Sequence, residues 1–329
     1  MRSIAVTEQS QVAEARREAA GLARALEFAE HDVERVALVA TELATNLVRH
    51  AAGGELLISA GVAGGVRLVS LDSGPGMRDP EACRRDGYST AGGSGTGLGA
   101  IGRIADRFDL WSRLGSGTTI VVHLLAGGSK QHANPVAGLE WDAVVQPKPG
   151  ETACGDGWSA HVHSRGAAFL VSDGIGHGQL AADATAQAGR VFEKAGGDPP
   201  GECMRALHSA LGGTRGAAAA VARVDLATRE MTFCGIGNIA ATVFHGDSVR
   251  RAVSQNGTLG HSVRKIQEFV YPFPQGAVLV MHSDGLTTSW DLRELDGLAG
   301  HAAATIAGVL HKRHRRGRDD AAVLVVKST

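Results

Sequence analysis

Apolar residues recur every three or four positions near the start of the chain. Val12, Ala15, Ala19, Leu22 and Leu26 share one helical face, with Gly21 inside the stripe. Asp32 stands where a helix cap belongs, and Val36, Ala40, Leu43 and Leu47 follow it on a second face. Two amphipathic helices therefore open the chain. The period then shortens towards two. Leu56–Ala60 and Val66–Leu71 read as strands, a glycine-rich loop leads into a helix near Ala100–Ala105, and Phe108–Leu114 and Thr118–Leu124 read as closing strands. This order predicts an α/β sandwich over residues 1–125.

A small, polar stretch with glycine and proline, residues 126–137, reads as a linker. From 138 to 329 the pattern changes to many strands and few helices. Strands are predicted at Trp141–Gln146, Trp158–His163, Ala167–Val171, Ala220–Asp225, Met231–Gly235, Ala240–Phe244, Gln267–Tyr271, Ala277–Met281 and Ala321–Val326. Helices are predicted at Gln179–Ala195, Gly201–Leu211 and Gly297–Lys312. Sheets between helical layers, an α-β-β-α sandwich, accommodate these best. The chain is thus two domains, one α/β and one α+β.

Composition narrows the function. Hydrophobic residues make up 43% of the 329 residues and charged ones 20%, enough apolar material for two cores. A formal net charge of −1 gives no reason to expect nucleic acid or an anionic membrane as partner. Cys83, Cys154, Cys203 and Cys234 are scattered, with no Cys-x-x-Cys pair, and read as reduced thiols. Met1–Glu18 carries charges every few residues, unlike a signal peptide. No apolar run approaches the roughly 20 residues of a membrane span. A cytoplasmic protein is expected.

The first segment carries an ordered set of polar and glycine motifs. Glu42 and Asn46 are four apart on the second helix, so they share a face offset from Leu43 and Leu47. Asp72-Ser-Gly74-Pro-Gly76 follows a strand. Gly92-Gly-Ser-Gly95-Thr-Gly97-Leu-Gly99 opens a helix, whose N-terminal amides and dipole favour phosphate. Gly115-Ser-Gly117-Thr118 links the last two strands. Taken singly, each motif is an ordinary turn or solvated helix face. Together they resemble the Bergerat ATP-binding fold of the GHKL superfamily, specifically the anti-sigma-factor-type serine kinases (RsbW- and RsbT-like), over residues 1–125.

That resemblance implies roles for ATP and Mg²⁺. Asn46 matches the Mg²⁺ ligand, and Asp72 the acceptor of the adenine amino group. Gly74 and Gly76 let the backbone approach the base. Gly95, Gly97 and Gly99 cradle the phosphates, and Thr118 lies near the adenine. Glu42 is placed as the base for a serine or threonine hydroxyl. His50, four residues beyond Asn46, reads as a solvated helix end. Ala100 departs from the family, which commonly carries a larger apolar residue there.

In the second segment four aspartates end apolar runs: Asp156 in Cys-Gly-Asp-Gly-Trp, Asp173 in Val-Ser-Asp-Gly-Ile-Gly-His-Gly, Asp284 in His-Ser-Asp-Gly-Leu and Asp319 in Arg-Asp-Asp-Ala-Ala-Val. Carboxylates gathered at strand ends repel one another unless cations neutralise them. Oxygen ligands without histidine or cysteine spacing select Mg²⁺ or Mn²⁺. Two such ions make hydroxide from water and neutralise a phosphoryl group. The bland alternative for any one Asp-Gly is a turn. The four motifs in this order, with Cys-Gly-Ile-Gly-Asn at 234–238, resemble the SpoIIE/RsbX branch of the PPM (protein phosphatase 2C-type) Ser/Thr phosphatases. By position, Asp173 would bridge both metals, the Gly174 carbonyl would complete one coordination sphere, and Asp156, Asp284 and Asp319 would supply the rest. Of the pair Asp319-Asp320, position matching favours Asp319. His177 either donates to a metal-bound water or leaving oxygen, or caps the helix at Gln179. The basic run 312–318 is either a solvated helix end or a phosphosubstrate docking site.

The combined resemblance is to a fusion of a serine kinase with a phosphatase, both families acting on STAS-domain proteins in bacterial partner switching. A sigma factor or an upstream sensor is a further expected partner. The alternative is a phosphatase gated by an N-terminal domain that senses ATP or binds a partner without transferring phosphate.

Overall fold

The computed structural model describes residues 1–62, 64–83, 97–128 and 136–329. They divide into two compact units, Met1–Ala133 with Gly300–Val309, and Asn134–Ala299 with Leu310–Thr329. Among the described residues no helix is long and apolar enough to cross a membrane.

The first unit runs β1 (Arg2–Val6), α1 (Gln9–Ala25), α2 (Glu30–His50), β2 (Gly54–Ala60), β3 (Val66–Asp72), α3 (Pro80–Cys83), α4 (Gly97–Ile104), β4 (Arg107–Arg113) and β5 (Gly117–Leu124). The strands form one antiparallel sheet in the order β1-β2-β3-β5-β4. The apolar stripes of α1 and α2 pack with Ile101 of α4 on one face, against Leu56, Leu68, Ile120 and Val122. Strand β1 was not expected. It contributes only Ile4 and Val6 to the core, too short an alternation to stand out beside its charged neighbours.

The opposite face of that sheet carries Val69, Leu71 and Thr119. A Cβ built on Gly308 would lie 3.2–3.3 Å from side-chain atoms of these three, so a helix packs closely there because residue 308 is glycine. The Asp109 carboxylate caps that helix from another part of the chain. Its Oδ2 accepts from Ala302 N at 2.8 Å and Thr305 Oγ1 at 2.7 Å, and His301 Nδ1 lies 2.9 Å from Oδ1.

The second unit contains β6 (Leu139–Gln146), β7 (Asp156–His163), β8 (Gly166–Gly174), α5 (Gln179–Ala195), α6 (Pro200–Ala210), β9 (Ala217–Asp225), β10 (Glu230–Ile236), β11 (Ala240–His245), β12 (Ser248–Arg251), β13 (Ser254–Gln255), β14 (Gly257–Thr258), β15 (Ser262–Val263), β16 (Phe269–Pro272), β17 (Val278–His282) and β18 (Ala321–Ser328). Helix α7 (Ala303–His314) starts in the residues of the first unit and ends in those of the second. One sheet runs β13-β10-β9-β8-β7, with β16 also on β10; the other runs β12-β11-β17-β18-β6. Trp141 of β6 and Phe169 of β8 meet edge to face, ring centroids 5.3 Å apart, where the sheets face each other. Helices α5 and α6 cover the outer side of the first sheet through Ala184, Ala188, Phe192, Met204 and Leu207. Both units thus have the layered sandwich architectures that the patterning predicts.

Helix α7 begins later than the expected Gly297–Lys312, after a separate 3-10 turn at Leu298–Gly300. Its cap is Asp109, and a cap so distant in sequence leaves no local signature.

Candidate functional sites

In the first unit Asp72 ends β3, and its Oδ1 accepts from Gly74 N at 2.8 Å and Thr118 N at 3.1 Å. Oδ2 takes no hydrogen bond among the described residues. Thr118 is buried, and its hydroxyl lies 2.9 Å from Ser112 Oγ, which also accepts from Met77 N at 2.9 Å. Ser112, which the sequence reading passed over, thereby ties the Asp72 loop to the β4–β5 hairpin. Gly76 has φ +70°, and a Cβ there would sit 2.1 Å from Arg113 O, so no side chain fits. A Cβ on Gly74 would lie 2.8 Å from Ala51 Cα at the end of α2.

Glu42 and Asn46 are half-buried on α2. Asn46 Nδ2 is buried with no hydrogen-bond partner among the described residues. An unpaired buried amide costs about 1–3 kcal/mol, which suits a residue awaiting a polar ligand. Gly97 and Gly99 lie in the first turn of α4. Gly95 falls outside the described residues.

In the second unit the antiparallel register sets Asp156 of β7 opposite Asp173 of β8. Asp284 follows β17, and Asp319 precedes its neighbour β18. Asn238, at the end of β10, donates from Nδ2 to Asp173 Oδ2 at 3.3 Å and Asp284 Oδ2 at 2.8 Å, drawing the two carboxylates towards one point. Asp156 is buried and accepts from Ser283 Oγ, which itself accepts from Ala322 N at 3.0 Å. Asn238 and Ser283 were not singled out from sequence. Their only signals were a Gly-Asn at a strand end and the Ser before Asp284.

Asp320 is buried, and both its oxygens are taken by backbone amides, Lys148 N at 2.7 Å and Gly155 N at 2.9 Å. Asp319 is half-exposed and accepts from Asp320 N at 3.0 Å. Of the pair, Asp319 keeps one carboxylate oxygen without a hydrogen bond among the described residues.

The glycine after three of these aspartates serves close approach. A Cβ on Gly157 would lie 2.5 Å from Thr185 Cγ2, on Gly174 2.2 Å from Ala181 O, and on Gly285 1.9 Å from Asp320 O. None has positive φ. Each lets a neighbouring element press against the backbone beside a carboxylate, which is a different use of glycine from a reversing turn.

Burial and the charges of its neighbours work together on these acids. Burial first, then Asp173, raises the Asp156 carboxyl well above the ordinary carboxylate range. Burial first, then Asp284, raises Asp173 to about 7, against the opposing hydrogen bond from Asn238. Among the described residues no three His, Cys, Asp or Glu side chains form a ready cation cage. The donor set is all oxygen and repels itself, which fits hard divalent cations.

His177 does not cap α5: the cap residue is Gly178, with no side-chain bond. It is exposed, with Nδ1 2.9 Å from Glu151 Oε1. In the basic run, Arg315 donates to Pro147 O at 2.7 Å and helps fix the strand-entry loop.

Comparison with known proteins matches the two halves of the chain to different families. Residues 5–124 match the histidine kinase-like ATPase domain. The serine/threonine-protein kinase RsbT of Bacillus subtilis (strain 168) is 37% identical over 103 residues, 30% of this chain and 77% of RsbT. The phosphoserine phosphatase RsbX of the same organism is 24% identical over 141 residues, 42% of this chain and 70% of RsbX. A structure of RsbX in complex with magnesium has a TM-score of 0.54 at 20% identity, covering 60% of this chain and 98% of that one. A chain from a study of the bacterial stressosome as a modular system adapted to control secondary messenger signalling has a TM-score of 0.55 at 27% identity, covering 57% and 99%. The first domain is thus RsbT-like, the second a PP2C-type Ser/Thr phosphatase domain. With residues 163–329, about half its length, matching the stage II sporulation protein E model, the chain belongs to the SpoIIE family.

Proposed function

We propose that this chain sets the phosphorylation state of a protein serine or threonine from both directions. The C-terminal domain removes the phosphate, and the N-terminal domain adds it from ATP and Mg²⁺. The substrates are STAS-domain proteins of a partner-switching circuit, with a sigma factor or upstream sensor as a further partner. A kinase and a phosphoserine phosphatase as relatives of the two halves, and the likeness to a stressosome chain, support this reading.

The observation that carries it is the gathering of Asp156, Asp173 and Asp284 under the hydrogen bonds of Asn238 and Ser283, with Asp319 near enough for its charge to help raise Asp173. Asp173, Asp156, Asp284, Asp319 and the Gly174 carbonyl would together hold Mn²⁺ or Mg²⁺, with Asp173 as the shared ligand. When bound, the ions supply a hydroxide-like water and neutralise the phosphoryl group. Asn238 holds the Asp173 and Asp284 rotamers, and Ser283 keeps Asp156 oriented.

In the first domain Asn46 would hold Mg²⁺. Asp72 keeps Oδ2 for the adenine amino group because Oδ1 is spent on the backbone. Gly74 and Gly76 line the base, Gly95, Gly97 and Gly99 the phosphates, and Thr118 the wall beside the adenine. Glu42 accepts the hydroxyl proton of the incoming residue.

Hydrolysis of a phosphoserine protein or of p-nitrophenyl phosphate should require added Mn²⁺ or Mg²⁺ and stop with EDTA. Turnover that survives exhaustive chelation contradicts the phosphatase assignment.

A further inference from the structure

We propose that Arg215 grips the phosphate of the substrate in the acidic site, an inference that rests on the phosphatase reading above. A phosphoserine carries about −1.5 to −2 charge at neutral pH, and it must approach a cluster of aspartates. Besides cations, such a site profits from a protein donor that meets the phosphate oxygens directly.

The loop entering β9 offers one on a fixed backbone. Thr214 Oγ1 donates to Leu211 O at 2.8 Å and accepts from Gly216 N at 2.9 Å, and Gly216 O accepts from Ile175 N at 3.0 Å. Gly216 has φ +80°, and a Cβ there would lie 2.5 Å from Leu259 O, so the loop is pinned on that side too. The backbone of Arg215 is therefore held between two anchored neighbours.

Its side chain is not held. Arg215 is exposed and forms no hydrogen bond or ion pair with any described residue. Its Nη1 lies beside Gly176, 3.1 Å from where a Cβ on that glycine would stand. Gly176 is three residues beyond Asp173, and the register sets Asp173 opposite Ala218, three residues beyond Arg215. Four other arginines of this unit are already engaged: Arg165 with Asp225, Arg223 with Gly197 O, Arg293 with Asp291 and Arg315 with Pro147 O. Arg215 stands at the rim of the carboxylate cluster with its planar fork uncommitted, and that fork matches phosphate oxygens bidentately.

The test uses the full chain loaded with Mn²⁺ and a phosphoserine peptide. Arg215→Ala should raise KM roughly 10–100-fold, the range for a hydrogen bond to a charged group, with a much smaller change in kcat. Arg215→Lys should recover part of the loss, because it restores charge without the fork. Inorganic phosphate titrated calorimetrically into the Mn²⁺-loaded protein should bind more weakly to Arg215→Ala by a similar factor, with Mn²⁺ affinity unchanged. That titration judges Arg215 without turnover, whereas absence of wild-type hydrolysis would count against the phosphatase reading. Phosphate binding to Arg215→Ala at wild-type strength overturns the proposal. So does a KM rise found in Arg318→Ala instead, which would put the grip in the basic stretch before Asp319.

Discussion

Asp72 and Asp173 both stand at the end of a strand, yet the two units treat the carboxylate in opposite ways. The first unit spends Asp72 Oδ1 on two backbone amides, which fixes the side chain within its own loop. The second sets Asp173 among other acids, where burial and the charges of Asp284 and Asp319 raise it to about 7. One site is preorganised by internal hydrogen bonds and presents an oxygen to a neutral donor. The other stores repulsion that a cation relieves. On the proposed function, a nucleotide would meet a finished pocket edge, while a cation would relieve the repulsion of the carboxylates. The comparison predicts that damage to the first site changes one ligand contact or one proton transfer, and damage to the second changes whether the site assembles.

The largest effect expected short of removing a shared ligand is at Glu42. If Glu42 is the base proposed for the first site, Glu42→Ala should slow phosphoryl transfer by about 10²–10⁴-fold, while the rise in melting temperature expected with ATP–Mg²⁺ persists, since the nucleotide contacts remain. Equal transfer rates in variant and wild type would leave the first domain as a nucleotide sensor.

Next is Asn238, which holds two acids of the second site together. Asn238→Ala should lower Mn²⁺ affinity or activity by about 10–100-fold, the usual loss when a partner of a metal ligand is removed. A calorimetric Mn²⁺ titration unchanged from wild type would show that the carboxylates close without it.

The smallest effect concerns stability. Asp109→Ala leaves the amide of Ala302 and the hydroxyl of Thr305 without their acceptor, at a cost of about 1–3 kcal/mol. Burial alone would raise the Asp109 carboxyl, but hydrogen bonds from His301, Thr305 and Ala302 outweigh it and hold it at about 2. A carboxyl lowered in the folded state stabilises above its unfolded value, about 3.9, and that contribution is lost as pH falls towards 2. Thermal unfolding should therefore separate wild type from Asp109→Asn at pH 6, with the gap closing between about pH 4 and 2. A gap independent of pH would remove the charge from this account.

Much of this was legible in the chain because it depends on local pattern. The apolar stripes of α1 and α2 and the long apolar strands β8, β17 and β18 carry their own signatures, and acids at the ends of such strands can be read as neighbours. What escaped depends on long-range approach. Strand β1 is a strand because β2 pairs with it. Asp109 caps a helix nearly two hundred residues away. The close packing at Gly157, Gly174 and Gly285 escaped too, since nothing local reveals that Thr185, Ala181 and Asp320 press against those glycines. Asn238 and Ser283 are ordinary polar residues until the sheets bring Asp173, Asp284 and Asp156 to them.

The opposition of the two sites on one substrate is the central claim, and a single time course tests it. A STAS-domain partner is incubated with the full chain, ATP, Mg²⁺ and Mn²⁺, and its phosphorylated fraction is followed to a plateau. Asp173→Asn, which removes the carboxylate proposed to be shared by both ions, should raise that plateau, and Glu42→Ala should lower it. If the two variants instead alter different phosphoproteins, or move one plateau in the same direction, the two domains do not oppose each other and the account is wrong.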